Sequence, residues 1–372
     1  MDGPEIKVVF FIQSLAIGGK ERRLVELVRS MKQKTRLHAT LVLMEDNIQF
    51  ENAESYFDEI IILNKRRYSK DWRVFIEFLN VCKRTKPDII HAWGLMESVY
   101  AVPAKLLLRV PLVTSMIADA IPQKRSISVN RILIKIAAFF ANSILSNSYA
   151  GFRAYRIGTK KTAVIYNGFD FRRIESSANS DLLRKGMQCE GKKIVLMVAS
   201  FNEYKDYDLF LDVAAVIQQK RNDIVFVALG EGAFREKMMS RVDQEGITNV
   251  IMTGRKTNVQ DYINIADVCV LFSPYEGISN AIIEYMATKK PVIATSLGGT
   301  EEVIENNVTG YILNGATAEY ISERILTLLN DDLLSQKLGT NGYETIQKKF
   351  SIRQMTDGIA DIYFSLHKSG TH

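Results

Sequence analysis

Short runs of apolar residues, closed by glycine, proline or small polar residues, alternate along this chain with segments whose apolar positions recur at helical spacing. Residues 268–272 form one such run, with the length and composition of a strand buried on both faces. Ser273-Pro274 ends it, and Gly277, Ser279 and Asn280 supply turn and N-cap chemistry. Residues 281–288 read as a helix stopped by Lys289-Lys290-Pro291, residues 292–295 as a second strand, and Gly298-Gly299 as a further turn before residues 301–305. A strand–turn–helix–strand series predicts a parallel sheet, whose ligands lie outside the carboxyl ends of the strands.

The same alternation runs through the first half. Strands are predicted at residues 6–12, 38–44, 59–63, 88–91, 111–115 and 141–148. Between them, residues 20–32 place Leu24, Leu27, Val28 and Met31 on one helical face, and residues 72–85 are amphipathic and stopped by Pro87. Residues 125–140 form a basic amphipathic helix, with Arg125, Arg131 and Lys135 among Ile127, Ile132, Leu133, Ile136 and Phe139. Polar residues 175–192 read as a linker. Strands follow at 193–199, 224–229 and 250–253, then helices at 317–330, 332–348 and about 352–366.

A chain of 372 residues exceeds one comfortable core and predicts two domains. Its 47% hydrophobic and 24% charged residues are those of a soluble globular protein. Cys82, Cys189 and Cys269 are odd in number and widely spaced, so they form neither a disulfide framework nor a metal-ligand pattern, which favours a reducing compartment. Cys269 reads as a small core residue. The first apolar run stands behind Glu5 and Lys7 as a strand, not a leader, and residues 132–145 are too short to span a bilayer. The expectation is a cytoplasmic protein. Charge is uneven: residues 1–170 hold 26 Lys+Arg against 16 Asp+Glu, a net of +10, and the remainder carries a net of −4. The first half is therefore where an acidic surface or acceptor should dock, and Lys65-Arg66-Arg67 could join the basic helix in one patch. No nucleic-acid-binding motif accompanies the charge, so nucleic acid is not an expected partner.

Two carboxylates stand out: Glu276 at the strand-to-helix turn, and Glu284 on the helix. Backbone N–H groups at Gly277, Ile278 and Ser279 would lie at a positive helix end suited to an anion. A carboxylate at each end of that site suits a ligand with sugar hydroxyls on both sides of a diphosphate. Taken alone, two glutamates on an ordinary surface helix would be the simpler reading.

Their order and surroundings change it. Glu276, seven residues, Glu284, then Gly298-Gly299-Thr300-Glu301-Glu302 resembles the donor-site signature of the retaining GT-B glycosyltransferases of family 4 (glycosyl transferases group 1). Ile17-Gly18-Gly19-Lys20-Glu21-Arg22 is similar to that family's N-terminal glycine loop, where glycine lets amides approach a phosphate. Val164 to Asp170 resembles its Asn-Gly turn, Gly230-Glu231-Gly232 its Gly-x-Gly turn, and Lys205 keeps the register of a diphosphate-binding lysine. Asp88-Ile89-Ile90-His91 resembles a strand that ends in histidine, which places His91 near the acceptor. Two departures are present. Ser200 stands where relatives carry an arginine, with Arg255 one candidate for a compensating cation. The histidine that usually follows residues 111–115 is absent, leaving Ser115 and Asp119 as candidates.

The resemblance implies a GT-B fold of two Rossmann-like doubly wound domains facing a cleft. Residues 1–172 would bind the acceptor and residues 173–351 the nucleotide-sugar donor, and the last helix would return to the first domain. It implies transfer of a sugar with retention to a saccharide or lipid-linked acceptor in surface-glycan synthesis. Glu284 would hold the ribose; Glu276, Gly277, Ile278 and Ser279 the donor sugar; Lys205 and the helix end the departing diphosphate. Gly18, Gly19, Ser200, Gly230 and Arg255 would complete the donor site. The nucleotide-sugar is a co-substrate, and neither cofactor nor metal is expected. The basic helix could rest on an anionic membrane, though a core-facing helix with a solvated basic side is the simpler reading. A catalytically weak scaffold subunit and a sugar-nucleotide epimerase remain the alternatives.

Overall fold

A computed structural model describes residues 5–16, 18–50, 52–63, 71–117, 129–174 and 180–369. The chain divides into two compact units, Met1–Gly168 with Ile352–His372, and Phe169–Ser351. In the first half lie β1 (Ile6–Ile12), α1 (Gly19–Lys34), β2 (Leu37–Leu43), β3 (Glu59–Ile62), α2 (Arg73–Thr85), β4 (Ile89–Ala92) and α3 (Leu95–Tyr100). They are followed by α4 (Val102–Leu108), β5 (Leu112–Ile117), α5 (Val129–Phe140), β6 (Ser143–Ser146), α6 (Tyr149–Tyr155) and β7 (Thr162–Val164). Then come α7 (Ser180–Gly186), β8 (Lys193–Val198), α8 (Tyr207–Gln218), β9 (Ile224–Leu229), α9 (Arg235–Glu245), β10 (Val250–Gly254) and α10 (Val259–Ile265). The remainder is β11 (Val268–Leu271), β12 (Tyr275–Glu276), α11 (Asn280–Ala287), β13 (Val292–Ala294), β14 (Leu297–Gly298) and α12 (Thr300–Val303). The chain closes with β15 (Tyr311–Ile312), α13 (Ala318–Asn330), α14 (Asp332–Lys349) and α15 (Ile352–Ser369).

Unit 1 is a seven-stranded parallel sheet, β3-β2-β1-β4-β5-β6-β7. Its interior strand β1 shows why an unbroken apolar run was required. Val8, Phe10 and Ile12 face a core built with α1 and α15, while Val9 and Phe11 face one built with α2 and α4. Phe11 stacks on Phe78 of α2 at 4.2 Å between ring centroids. Each such buried aromatic contributes about 1.5–3 kcal/mol of apolar transfer. Helix α15 lays Met355, Ile359 and Tyr363 into the α1 side, and Thr356 hydrogen-bonds Ser30 at 2.9 Å.

Unit 2 is a six-stranded parallel sheet, β10-β9-β8-β11-β13-β15, with a separate two-stranded ladder of β12 and β14. Each main sheet reverses its strand order beside its own first strand, between β1 and β4 in unit 1 and between β8 and β11 in unit 2.

Three features differ from the sequence reading. The junction falls at Gly168/Phe169 rather than 172/173, because Phe169 already donates its N–H to Phe350 at 2.7 Å and bridges Ser351. The linker contains α7: acidic Asp181 sits in its first turn and Arg184 and Lys185 in its last, complementing the helix dipole. Arg184 anchors it by donating to the carbonyls of Lys192 and Ile265. Tyr275–Glu276, read as a turn, is a strand. The segments 65–67 and 118–128, with Asp119 and Arg125, lie outside the described residues. All three cysteines are free and buried, and burial lifts the Cys82 and Cys269 thiols to about 12. No helix among the described residues is long and apolar enough to cross a membrane.

Candidate active site

The point where the unit 2 sheet reverses lies between β8 and β11, and open parallel sheets place ligands in such crevices. Lys205 follows β8 and Glu276 follows β11. Their side chains meet as an ion pair, 18% and 12% exposed. The loop that carries Lys205 is held from several sides. Lys205 donates its N–H to Asn202, and Asp206 donates to the Phe272 carbonyl at the end of β11. Asp206 also caps α8 by accepting from Leu209 at 2.9 Å. Phe201 and Tyr207 stack at 3.8 Å, and the Tyr207 hydroxyl donates to the Ala199 carbonyl at 2.7 Å. Gly230 closes the other flank: a Cβ there would lie 1.9 Å from the Ala199 oxygen, so only glycine permits this approach.

Glu276 is fixed by its backbone. It pairs with Gly298 in the β12–β14 ladder and accepts from the Gly299 N–H at 3.0 Å. A Cβ on Gly299 would stand 2.1 Å from the Gly277 oxygen, which explains the second of the two glycines. Gly277, Ile278 and Ser279 are buried at the start of α11, with Ser279 as its N-cap residue. On α11, Glu284 is 5% exposed and accepts from Arg173 Nη2 at 2.7 Å. The next residue, Tyr285, is fully buried, and its phenol oxygen accepts the Val198 N–H at 2.6 Å, tying α11 to the end of β8. Burial holds that phenol well above its ordinary range.

Unit 2 thus gathers Lys205, Glu276, Gly277, Ile278, Ser279 and Glu284 along β8, β11 and α11. Ser200 is exposed on the same loop, its hydroxyl accepting from the Asn202 amide at 2.8 Å, and Arg255 is exposed just past β10. Gly18 and Gly19 belong to unit 1, where Gly18 is the N-cap of α1 and accepts from Arg22. His91 and Ser115 are brought together there, away from solvent. His91 Nε2 and Ser115 Oγ are 2.8 Å apart, and His91 Nδ1 lies 2.5 Å from the Tyr363 hydroxyl. Burial, with Arg23 nearby, holds the imidazole well below its ordinary value. Arg23 is itself buried, its guanidinium 5.4 Å from the Trp93 ring centre and its pKa lowered by desolvation to about 10. No group of three or more His, Cys, Asp or Glu among the described residues is arranged to hold a metal ion.

Sequence reasoning missed Arg173 and Tyr285. Each acts on a partner far along the chain, 111 and 87 residues away, with no periodicity or motif to reveal it. The nearest signal for Arg173 was its position just after the Asn167-Gly168 turn.

Two parallel α/β units, the second with a cation and a carboxylate at its switch point, have the architecture of a GT-B glycosyltransferase. Residues 17–173 match the family described as Glycosyltransferase Family 4, and residues 181–345 match Glycosyl transferases group 1. The chain belongs to this family of glycosyltransferases, enzymes of the hexosyltransferase class. It is 24% identical over 368 residues to the N-acetylgalactosamine-N,N'-diacetylbacillosaminyl-diphospho-undecaprenol 4-alpha-N-acetylgalactosaminyltransferase of Campylobacter jejuni, covering 92% of this chain and 95% of that protein. The poly(ribitol-phosphate) alpha-N-acetylglucosaminyltransferase of Staphylococcus aureus is 28% identical over 208 residues, which is 55% of this chain and 41% of that longer protein. Anabaena HepE, crystallised with UDP and glucose, shares the fold with a TM-score of 0.85 and 20% identity, over 97% of this chain and 100% of that one.

Proposed function

We propose that this enzyme moves a sugar from a nucleoside diphosphate donor, with retention at the anomeric carbon, onto a saccharide or lipid-linked saccharide acceptor of surface-glycan assembly. The observation that carries this reading is the meeting of Lys205 and Glu276 at the unit 2 switch point, with Glu284 on the adjoining helix. In the proposed reaction the bond between the anomeric carbon and the diphosphate oxygen breaks, and the acceptor oxygen bonds on the same face. The acceptor's proton passes to a donor phosphate oxygen. Lys205 and the N-terminal end of α11 stabilise the charge growing on the diphosphate, a role in which one lost contact costs roughly 10²–10³ in turnover. Glu276 and the amides of Gly277, Ile278 and Ser279 hold the donor sugar, and Glu284 the ribose. With Lys205 and the helix end in place, turnover is expected to persist in EDTA.

UDP bound to the Anabaena neighbour supports a nucleotide donor, and the diphospho-undecaprenol acceptor in the Campylobacter relative's name supports a lipid-linked acceptor. A peripheral contact with the anionic inner face of the cytoplasmic membrane fits unit 1. There a cavity of about 390 Å³ is lined by Arg131, Lys135, Arg156 and Lys161 around Phe139, which is 74% exposed.

The test is thermal stabilisation by UDP-, GDP- and ADP-sugars without added metal, followed by the anomeric configuration of the product by NMR. A ligand at 100 times its Kd should stabilise the fold by about 2.7 kcal/mol. Silence from every nucleotide at millimolar concentration would favour a scaffold role.

A further inference from the structure

We propose that Arg173 is a positioning residue for Glu284, orienting its carboxylate for the ribose of the donor; this rests on the nucleotide-donor reading of the same site. A carboxylate that is 5% exposed loses most of its hydration and needs a hydrogen-bonding partner in its place. Arg173 Nη2, 2.7 Å from Glu284 Oε1, supplies that partner.

The arginine is itself braced. Its guanidinium lies 5.2 Å over the Phe169 ring, and its N–H donates to the Asp170 carbonyl at 3.0 Å. Phe169 is fixed through its N–H to Phe350 and packs edge-on against Phe171, which packs edge-on against Tyr343 of α14. Asp170 is clamped by Arg172 through two nitrogens, Nε at 2.9 Å and Nη2 at 2.7 Å. The turn at residues 169–174 is thus a rigid mount that delivers one guanidinium to one carboxylate. A planar fork on a braced mount loses little freedom on holding the carboxylate, and so fixes its direction closely. A staple serving stability alone would gain as much from an apolar pair of similar volume. An ion pair kept on α11, the helix capped by Ser279, points instead to orientation of a hydrogen-bond acceptor.

The experiment compares binding of UDP, GDP and ADP with their 2'-deoxy and 3'-deoxy forms, by calorimetry, in the wild type, Glu284→Ala, Arg173→Met and Arg173→Lys. The wild type should prefer the ribonucleotide, Glu284→Ala should lose the preference, and Arg173→Met should lose about tenfold of it, with partial recovery in Arg173→Lys. If Arg173→Met fails to fold, Arg173→Lys carries the test: its preference for the ribonucleotide should fall below that of the wild type, and an unchanged ratio in it would overturn the assignment. An unchanged ribo-to-deoxy ratio in folded Arg173→Met, beside a lost one in Glu284→Ala, would overturn the Arg173 assignment alone. Nucleotide binding without ribose discrimination in the wild type would overturn both residues' roles, and absence of any nucleotide binding would overturn the donor site itself.

Discussion

Lys205 and Glu276 stand 71 residues apart and form an ion pair where the unit 2 sheet reverses its strand order. Each is anchored through its own backbone, Lys205 through the Asn202 turn and Glu276 through the β12–β14 ladder, so the pair marks where two independently fixed loops meet. Removing one partner strands the other charge in a largely buried place. Lys205→Met and Glu276→Gln should each lower the melting temperature and reduce turnover by roughly 10²–10³. The double variant should recover stability but not activity. A double-mutant cycle by urea unfolding should give a coupling of about 1–3 kcal/mol; a coupling near zero would show the pair to be incidental.

Gly299→Ala should be more damaging than its size suggests. The added methyl would meet the Gly277 oxygen at 2.1 Å, and the backbone must shift to relieve it. The expected cost is about 1–3 kcal/mol. Because Gly299 donates to Glu276, activity should fall by more than the stability loss accounts for. Gly158→Ala, where nothing lies within 4 Å, is the control. Equal melting temperatures for the two variants would refute the close approach.

Tyr285→Phe removes the oxygen that accepts the Val198 N–H. The amide is then left without its partner in the core, at a cost of about 1–3 kcal/mol. Chemical unfolding of the two proteins measures it directly, and wild-type stability in the variant would assign the hydroxyl no role.

His91 gives the fold a pH dependence with a definite sign. Its imidazole is held neutral in the folded state, well below 6.5, while in the unfolded chain it titrates near that value. Below about pH 6.5 the unfolded chain therefore binds more protons than the folded one. Stability from this residue is complete above that pH and declines as pH falls, by up to about 1.4 kcal/mol per pH unit. Unfolding free energies at pH 7.5, 6 and 5 should show the decline, and His91→Gln should flatten it. Parallel curves for the two proteins would place the pH dependence elsewhere.

The alternation of buried strands and amphipathic helices was legible in the chain itself, because strands covered on both faces must be apolar throughout and helices covered on one face must be striped. Hence β1, β8, β9 and β11 lie where the apolar runs lie. Glu276 and Glu284 stood out by their places at a turn and on the helix after it, and Lys205 only by its resemblance to the family's diphosphate-binding lysine. The strand at Tyr275–Glu276 was hidden because it and its partner at Leu297–Gly298 are two residues each, too short for a period to register. The helix in the polar stretch was hidden because its anchor, Arg184, reaches carbonyls outside it. His91 and Ser115 read as acceptor-side candidates from the sequence, yet tertiary packing gives their polar atoms to each other and to Tyr363. The pairing of Lys205 with Glu276, and of Arg173 with Glu284, was decided by the tertiary structure alone. A charge leaves no periodic trace of its partner, and only the order of strands in the sheet brings the two together.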